Sequence, residues 1–365
     1  MNYQNVGVVS FGVKLPILKE GDDLVSAVVE SVISSCNSIH DKDVIGITES
    51  IVARVEGNYV TVDEIADYVK KLYGEHAKIA VCAPIYSRNR FSMILKGIAR
   101  GVDEIVMFAP EYDEVGNPFG VNPFTGCDIE KYYGDICEAE NCKFSVADGL
   151  TEFYSKFGVD EDMKVLNCGL HIDKEKYNLF KSMADSSFYY TLEDICKEKC
   201  EYGLLGSNKA TEEKLKLFPS KAFAQKVCED VKREISVKTG ANVIVCVYGD
   251  GCFHDPVAGI WEFADPVTMP AFTDEDIIMS TPNEIKIKYF ADEKFKDLSG
   301  EELSDAIRAE IKTKKENLVG EMTSEGTTPR LRRDLLASLM DLTSGSGDRG
   351  TPVVVVKGYF VDYSS

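Results

Sequence analysis

The 365-residue chain predicts a mixed α/β fold, and three observations carry that prediction. Its first third alternates short β-forming runs with helical stripes. Val243–Tyr248, a continuous apolar run, and Pro352–Lys357 each read as a buried strand. The middle, about residues 125–235, is richer in charge and aromatics and reads as a mainly helical insertion or second domain. The implied division is an N-terminal α/β part over 1–124, that insertion, and a C-terminal part of the same core over 236–365.

Taken in order, Asp23–Ser35 carries Leu24, Val28, Val32 and Ile33 on one helical stripe. Asp43–Ile47 and Asn58–Val62 read as strands. Asp63–Tyr73 reads as a helix whose acidic start, Asp63 and Glu64, suits the positive end of the helix dipole. Lys78–Pro84 is a strand, Phe91–Arg100 a helix and Glu104–Phe108 a strand. The middle predicts helices at Asp128–Cys137, Leu150–Phe157, Lys174–Ala184, Leu192–Lys199 and Lys221–Val237, with one strand at Val165–Leu170. Glu301–Glu316 is a charged helix. Thr328 and Pro329 read as N-cap and first residue of a closing helix with Leu331, Leu335, Leu339 and Leu342 on its apolar face, ended by Gly345.

Composition narrows the function. The chain is 44% hydrophobic, 28% charged and carries a net charge of −20. Such a surface repels nucleic acid and anionic membranes, so neither is expected as a partner. No apolar run approaches the roughly 20 residues a bilayer requires. The start, Met1–Gly7, lacks a basic stretch followed by an apolar one, so no secretory leader is expected. Eleven scattered cysteines, several in apolar segments (Cys82, Cys228, Cys246), fit reduced core residues of a cytoplasmic protein. Cys137/Cys142 and Cys196/Cys200 lack convincing zinc spacing.

Chemistry concentrates at strand ends. Val243–Tyr248 runs into Gly249-Asp-Gly251, which turns the chain sharply around Asp250. A carboxylate there is placed to hold a hard divalent cation, and it serves equally as a turn cap. Asp113, Glu114 and Asn117 follow the strand Glu104–Phe108 as further oxygen ligands, or as an acidic surface turn. Thr343-Ser-Gly-Ser-Gly-Asp-Arg-Gly350 offers backbone N–H groups to phosphate, or is a flexible connector. It lacks the Walker A lysine, and it precedes a strand where a dinucleotide fingerprint opens a helix. Arg88, Arg90, Arg100 and Arg330/Arg332/Arg333 are anion clamps or solvated helix faces. His254 is a general base or a local turn contact. No nucleophile elbow occurs, which argues against covalent catalysis.

Three segments in this order resemble the coenzyme F-420-0:L-glutamate ligases, the gamma-glutamyl ligases of a deazaflavin coenzyme. They are Gly12–Leu24 with Asp43–Gly57, the Asp250 strand end, and Asp334–Ala337 with Gly347–Gly358. The middle region has no counterpart in the resemblance. The likeness implies a family-specific mixed α/β fold with a large middle insertion, an intertwined homodimer, and use of GTP (or ATP) with Mg2+ or Mn2+. It implies that Leu15, Pro16, Ile17 and Leu18 touch the nucleotide through backbone. Glu49, Ser50 and Arg54 fall where the family binds phosphate and nucleotide. Asp250 is the principal metal ligand, with Asp113 or Glu114, and Asn117 joins the nucleotide contacts. Ser344, Gly345, Ser346, Gly347, Asp348 and Gly350 form the cradle.

The chain departs from the family pattern at four positions. Arg54 replaces a lysine, Glu49 a small hydroxyl residue, Gly251 a hydroxyl residue, and Ser346 a Gln or Glu that would ligate a second metal. The implied reaction joins L-glutamate to a small carboxylate acceptor by an amide bond, through an acyl phosphate. The acceptor is the deazaflavin coenzyme precursor or a folate-type molecule. The rival expectations are a catalytically silent nucleotide-binding scaffold and, less strongly, a metal-dependent hydrolase of amide or phosphate bonds.

Overall fold

The structure, a computed structural model, describes residues 6–82, 86, 91–109, 111–113, 116–123, 125–147, 149–157, 164–168, 188–249, 253–254, 261–262, 268–278, 283–326, 331–345 and 347–364. The chain is mixed α/β, as its sequence predicts.

The elements run β1 (Val9–Val13), α1 (Leu24–Ser35), β2 (Val44–Thr48), α2 (Glu49–Glu56), β3 (Tyr59–Thr61), α3 (Val62–Tyr73), β4 (Lys78–Cys82), α4 (Phe91–Gly101) and β5 (Glu104–Phe108). Next come α5 (Ile129–Ala139), β6 (Lys143–Ala147), α6 (Leu150–Phe157), β7 (Val165–Asn167), β8 (Tyr189–Thr191), β9 (Asn208–Thr211), β10 (Lys214–Lys216) and α7 (Lys221–Thr239). The chain closes with β11 (Ile244–Tyr248), β12 (Phe253–His254), β13 (Trp261–Glu262), β14 (Ala271–Phe272), α8 (Gly300–Thr313), α9 (Arg332–Ser344) and β15 (Val353–Lys357).

The first sheet has the order β1-β15-β2-β11-β14 and joins the two ends of the chain. At its centre β2 and β11 run parallel, from Ile244 opposite Val44 to Tyr248 opposite Thr48. Strand β15 lies antiparallel to β2 and to β1. Side chains alternate across a strand, so an all-apolar run needs cover on both faces. Val245, Val247, Val353 and Val355 pack with Val28, Val32, Val227 and Val231 of α1 and α7. Cys246, Tyr248, Val354 and Val356 pack on the other side with Leu336, Ala337 and Met340 of α9. Each such fully buried aliphatic side chain stabilises by roughly 1.5–3 kcal/mol.

Helix ends follow local chemistry. Asp23 caps α1 by accepting from Ser26 N at 3.0 Å. Thr61 and Glu64 form a reciprocal capping box on α3. Gly240 closes α7 at φ 78°, a left-handed value that suits glycine.

The second sheet is parallel, with the order β6-β5-β4-β7-β8. It takes β4 and β5 from the chain before residue 125 and the other three strands from after it. A third, small sheet pairs β3 with the β9–β10 hairpin. The hairpin falls in a stretch without a clear apolar pattern and was invisible to periodicity.

Three sequence expectations change. Leu192–Lys199 is a run of turns, because Cys196 adopts φ 63° and breaks any helix there. The closing helix starts at Arg332 with Leu331 as N-cap, while Thr328 and Pro329 lie outside the described residues. Its buried face is Leu336, Ala337 and Met340, and Leu342 is 80% exposed, because the helix docks against β2, β11 and β15 by the neighbouring stripe. Of the Lys174–Ala184 helix nothing falls among the described residues. No described helix is long and apolar enough to cross a membrane.

Candidate functional site

Four sequence-predicted segments converge at one end of the first sheet. Strand β2 leaves that end through Thr48 and enters α2 without an intervening loop, and β11 leaves it through Tyr248 directly opposite. The carboxyl ends of adjacent parallel strands are where open α/β sheets place ligands. Antiparallel β15 starts at the same end, and Thr48 N donates to Pro352 O at 2.9 Å. Strand β1 ends there as well, and Leu15 N donates to Gly350 O at 3.2 Å. The segment Leu15–Leu18 and the glycine loop are thus tied backbone to backbone.

Glycine allows the close approach. A Cβ on Gly12 would stand 2.9 Å from Thr351 Cβ. The loop turns at Gly345 and Gly350, both at φ 66°. Thr351 Oγ1 donates to Ser344 O at 2.8 Å and closes it. Gly345, Gly347, Asp348, Arg349 and Gly350 are exposed, and the Arg349 guanidinium folds back over Gly345. Ile17 is 89% exposed, whereas Leu18 is buried in the core.

Helix α2 divides its residues between two environments. Ser50 and Arg54, one turn apart, are both exposed and share a face. Glu49 points inward: it is buried, and its carboxylate oxygens lie 2.6 and 2.5 Å from Lys216 Nζ. Thr48, the N-cap residue, makes no side-chain hydrogen bond to the first turn of α2. Neither Arg54 nor Arg349 makes an ion pair among the described residues, in a chain of net charge −20.

On the β11 side, Gly249 N donates to Thr268 O at 2.9 Å, and Thr268 Oγ1 bonds Asp334 Oδ1 at 2.7 Å. This brings the first turn of α9 to the strand end. Periodicity had placed Asp334 only on a closing helix, and Lys216 carried no sequence signal at all.

Asp113 and Asn117 sit beyond β5, on the second sheet. Asn117 donates to both Asp113 carboxylate oxygens, from N at 2.8 Å and Nδ2 at 2.6 Å, so the pair closes its own turn. Asp250, Glu114 and Ser346 lie outside the described residues, as do Arg88, Arg90 and Arg330. His254 is described only as part of β12. Among the described residues no three His, Cys, Asp or Glu side chains gather as a metal site. A groove of about 400 Å3 lined by Gln225, Glu229, Lys232 and Phe272 lies beside α7 and β14 and includes no predicted site residue.

Arg100, read as an anion clamp or helix face, is committed to protein carboxylates: Glu140, Asp63 and Glu213. Arg332 stands over the Phe360 ring.

A model of the family described as F420-0:Gamma-glutamyl ligase matches residues 12–358, nearly the whole chain. No curated protein matches.

Proposed function

The chain belongs to the F420-0:gamma-glutamyl ligase family, and we propose that it joins L-glutamate to a carboxylate acceptor in a nucleotide-dependent reaction at the carboxyl end of β2 and β11. The observation that carries this reading is the convergence of Leu15–Leu18, Ser50/Arg54 and the 345–350 loop at that end.

In the proposed reaction an acceptor carboxylate oxygen attacks the γ-phosphorus of GTP (or ATP). The nucleoside diphosphate leaves, and an acyl phosphate remains. The α-amine of glutamate then attacks the acyl carbon, phosphate departs, and the amine loses its proton. Every reactant is anionic, so the protein's task is positioning and charge neutralisation. The backbone of Leu15–Leu18 and the Gly345–Gly350 loop would hold the nucleotide, with Arg54 and Arg349 offsetting its charge. A divalent cation, Mg2+ or Mn2+, when bound supplies further neutralisation of phosphate oxygens. We assign its main ligand to Asp250, at the residue after Gly249. Asp113 lies beyond β5, on the second sheet, and each of its oxygens accepts one hydrogen bond from Asn117, which orients the carboxylate and leaves further lone pairs on it.

The acceptor is the deazaflavin coenzyme precursor or a folate-type carboxylate. Ser346, which stands where the family pattern has a Gln or Glu for a second metal, favours a second reading, a nucleotide-binding member without turnover. One experiment separates them. Purified protein is incubated with GTP or ATP, Mg2+, Mn2+ or EDTA, L-glutamate and each acceptor. Phosphate release coupled to an acceptor one glutamyl unit heavier supports the ligase. Metal-dependent nucleotide binding with no product under any combination supports the silent reading.

A further inference from the structure

Successive side chains of β1 face opposite sides of the first sheet, and their packing shows which side each one takes. Phe11, Val13 and Leu15 lie against the core that α1 and α7 cover. Ser10 and Gly12 face the other way, toward the end of α9 and the loop that follows it. Ser10 Oγ lies 2.7 Å from Thr343 Oγ1, and a Cβ on Gly12 would stand 2.9 Å from Thr351 Cβ. The next residue of this second set is Lys14. The bond from Leu15 N to Gly350 O, 3.2 Å long, shows that the extended course runs on past it. Ser10, Gly12 and Lys14 therefore form one row along the segment 343–351, with Lys14 nearest the sheet end where the candidate site lies.

Lys14 is exposed, and it makes no ion pair or side-chain hydrogen bond among the described residues. The loop beside it has need of a cation. It follows the carboxyl end of α9, where a helix carries about half a negative charge. A Walker-type phosphate loop instead opens a helix at its positive end and brings a lysine in its own sequence. Here the charged residues within 343–351 are Asp348 and Arg349, one of each sign. The chain's charge of −20 repels a nucleoside triphosphate as well. Backbone N–H groups of this loop would therefore have to bind phosphate against an opposing field. An ammonium is a compact point charge on a flexible stem, suited to phosphate oxygens.

We propose that Lys14 is a phosphate-binding residue of the nucleotide site. Strand β1 delivers to the glycine loop, from the far end of the sequence, the lysine that the loop itself lacks. The ammonium contacts the phosphate oxygens of the bound nucleoside triphosphate, beside Arg349. The inference rests on the nucleotide-dependent reading of that site.

The test compares wild type, Lys14→Gln, Lys14→Arg and a control of equal charge change, Lys296→Gln, at an exposed lysine outside the first sheet. Titration calorimetry gives the Kd of GTP and of ATP for each in the presence of Mg2+. Lys14→Gln weakens binding by about tenfold or more. Lys14→Arg keeps the charge and more of the affinity, and Lys296→Gln binds as wild type does. A lysine that only steadied the end of α9 would lower the melting temperature of Lys14→Gln and leave its Kd unchanged, which overturns the inference. Equal weakening in both Gln variants overturns it too, since overall charge then suffices. Footprinting of the wild-type protein makes the test independent of how any variant folds. Its amines are acetylated with and without saturating nucleotide, and the modified lysines are read by mass spectrometry. The triphosphate shields Lys14 and not Lys296. Lys14 acetylated equally in both states, or shielded by the nucleoside without phosphates, overturns the inference and leaves nucleotide binding standing. Wild-type protein that binds neither nucleotide overturns the ligase reading and this inference with it.

Discussion

Thr48 and Tyr248 stand opposite each other in register at the carboxyl ends of the two central parallel strands. The chain leaving Tyr248, through Gly249 toward Asp250, therefore sets out beside the start of α2. Replacing Asp250 with Asn keeps the shape and removes the charge. The expected result is loss of ligase turnover with the melting temperature held close to wild type. Full turnover in that variant would sink the assignment of Asp250.

Gly46, in the middle of β2, has no room for a side chain. A Cβ there would fall 2.1 Å from Met340 Sδ and 3.0 Å from Tyr248 Cδ1. Helix α9 thus lies flush on the sheet only because β2 is bare at this point. Gly46→Ala overpacks the interface and is expected to cost about 1–3 kcal/mol. Urea unfolding measures it. Adding Met340→Ala to Gly46→Ala makes space, so the two losses should be less than additive. Strict additivity would show that the contact does not limit packing.

The capping box on α3 makes stability depend on pH in a stated direction. Glu64 accepts from Thr61 N at 2.7 Å and pairs with Lys199, while Thr61 caps Glu64 N at 3.1 Å. Burial pushes the Glu64 carboxyl up, but the Lys199 ammonium and the Thr61 donors outweigh it and hold it below its ordinary 4.5. A carboxyl depressed on folding contributes stability above its unfolded value, and that contribution is lost as pH falls through the lower folded value. Glu64→Gln should therefore destabilise at pH 7, and the gap from wild type should close in acid below the depressed value. Thr61→Ala should cost about 1 kcal/mol at pH 7 and less in acid, because the Thr61 hydroxyl also donates to the Glu64 carboxylate. Denaturant midpoints across pH check both, and a gap that widens on acidification contradicts the assignment.

The ends of the first sheet were legible because they are short, local signals. Val243–Tyr248 and Val353–Val356 are continuous apolar runs, and the structure buries both faces of each. The glycine loop and Leu15–Leu18 were legible only as separate motifs, and the Leu15–Gly350 bond between them is a fact of topology. Lys216 was illegible because a lone lysine in a polar hairpin looks like solvated charge until the fold sets it against Glu49. The closing helix shows a different limit. Its leucines repeat with helical spacing, but Gly46 admits Met340, and the docked face is one residue away from the leucine stripe.

Arg100 gathers Glu140, Asp63 and Glu213, and exposure predicts how unequally they matter. Glu140 takes the guanidinium side-on, with its oxygens 2.7 Å from Nε and 3.0 Å from Nη2, and its side chain is only 12% exposed. Asp63 and Glu213 each reach Nη1 at 2.8 Å, but their side chains are 79% and 54% exposed. Exposed pairs are screened and typically contribute about 0.2–1 kcal/mol. A bidentate pair with a sheltered carboxylate contributes more, about 1.5–3 kcal/mol for its charge-assisted bonds. Glu140→Gln should therefore destabilise by more than 1 kcal/mol or so, and Asp63→Asn by about 0.5 kcal/mol or less. Arg100→Lys should resemble Glu140→Gln, because an ammonium keeps the charge but cannot make the parallel pair of bonds. Urea melts at low and high salt separate the cases. Added salt should erase the Asp63→Asn effect and leave most of the Glu140→Gln effect. Equal losses from the two carboxylates would mean that net charge, and not bidentate geometry, holds α4 to the end of α5.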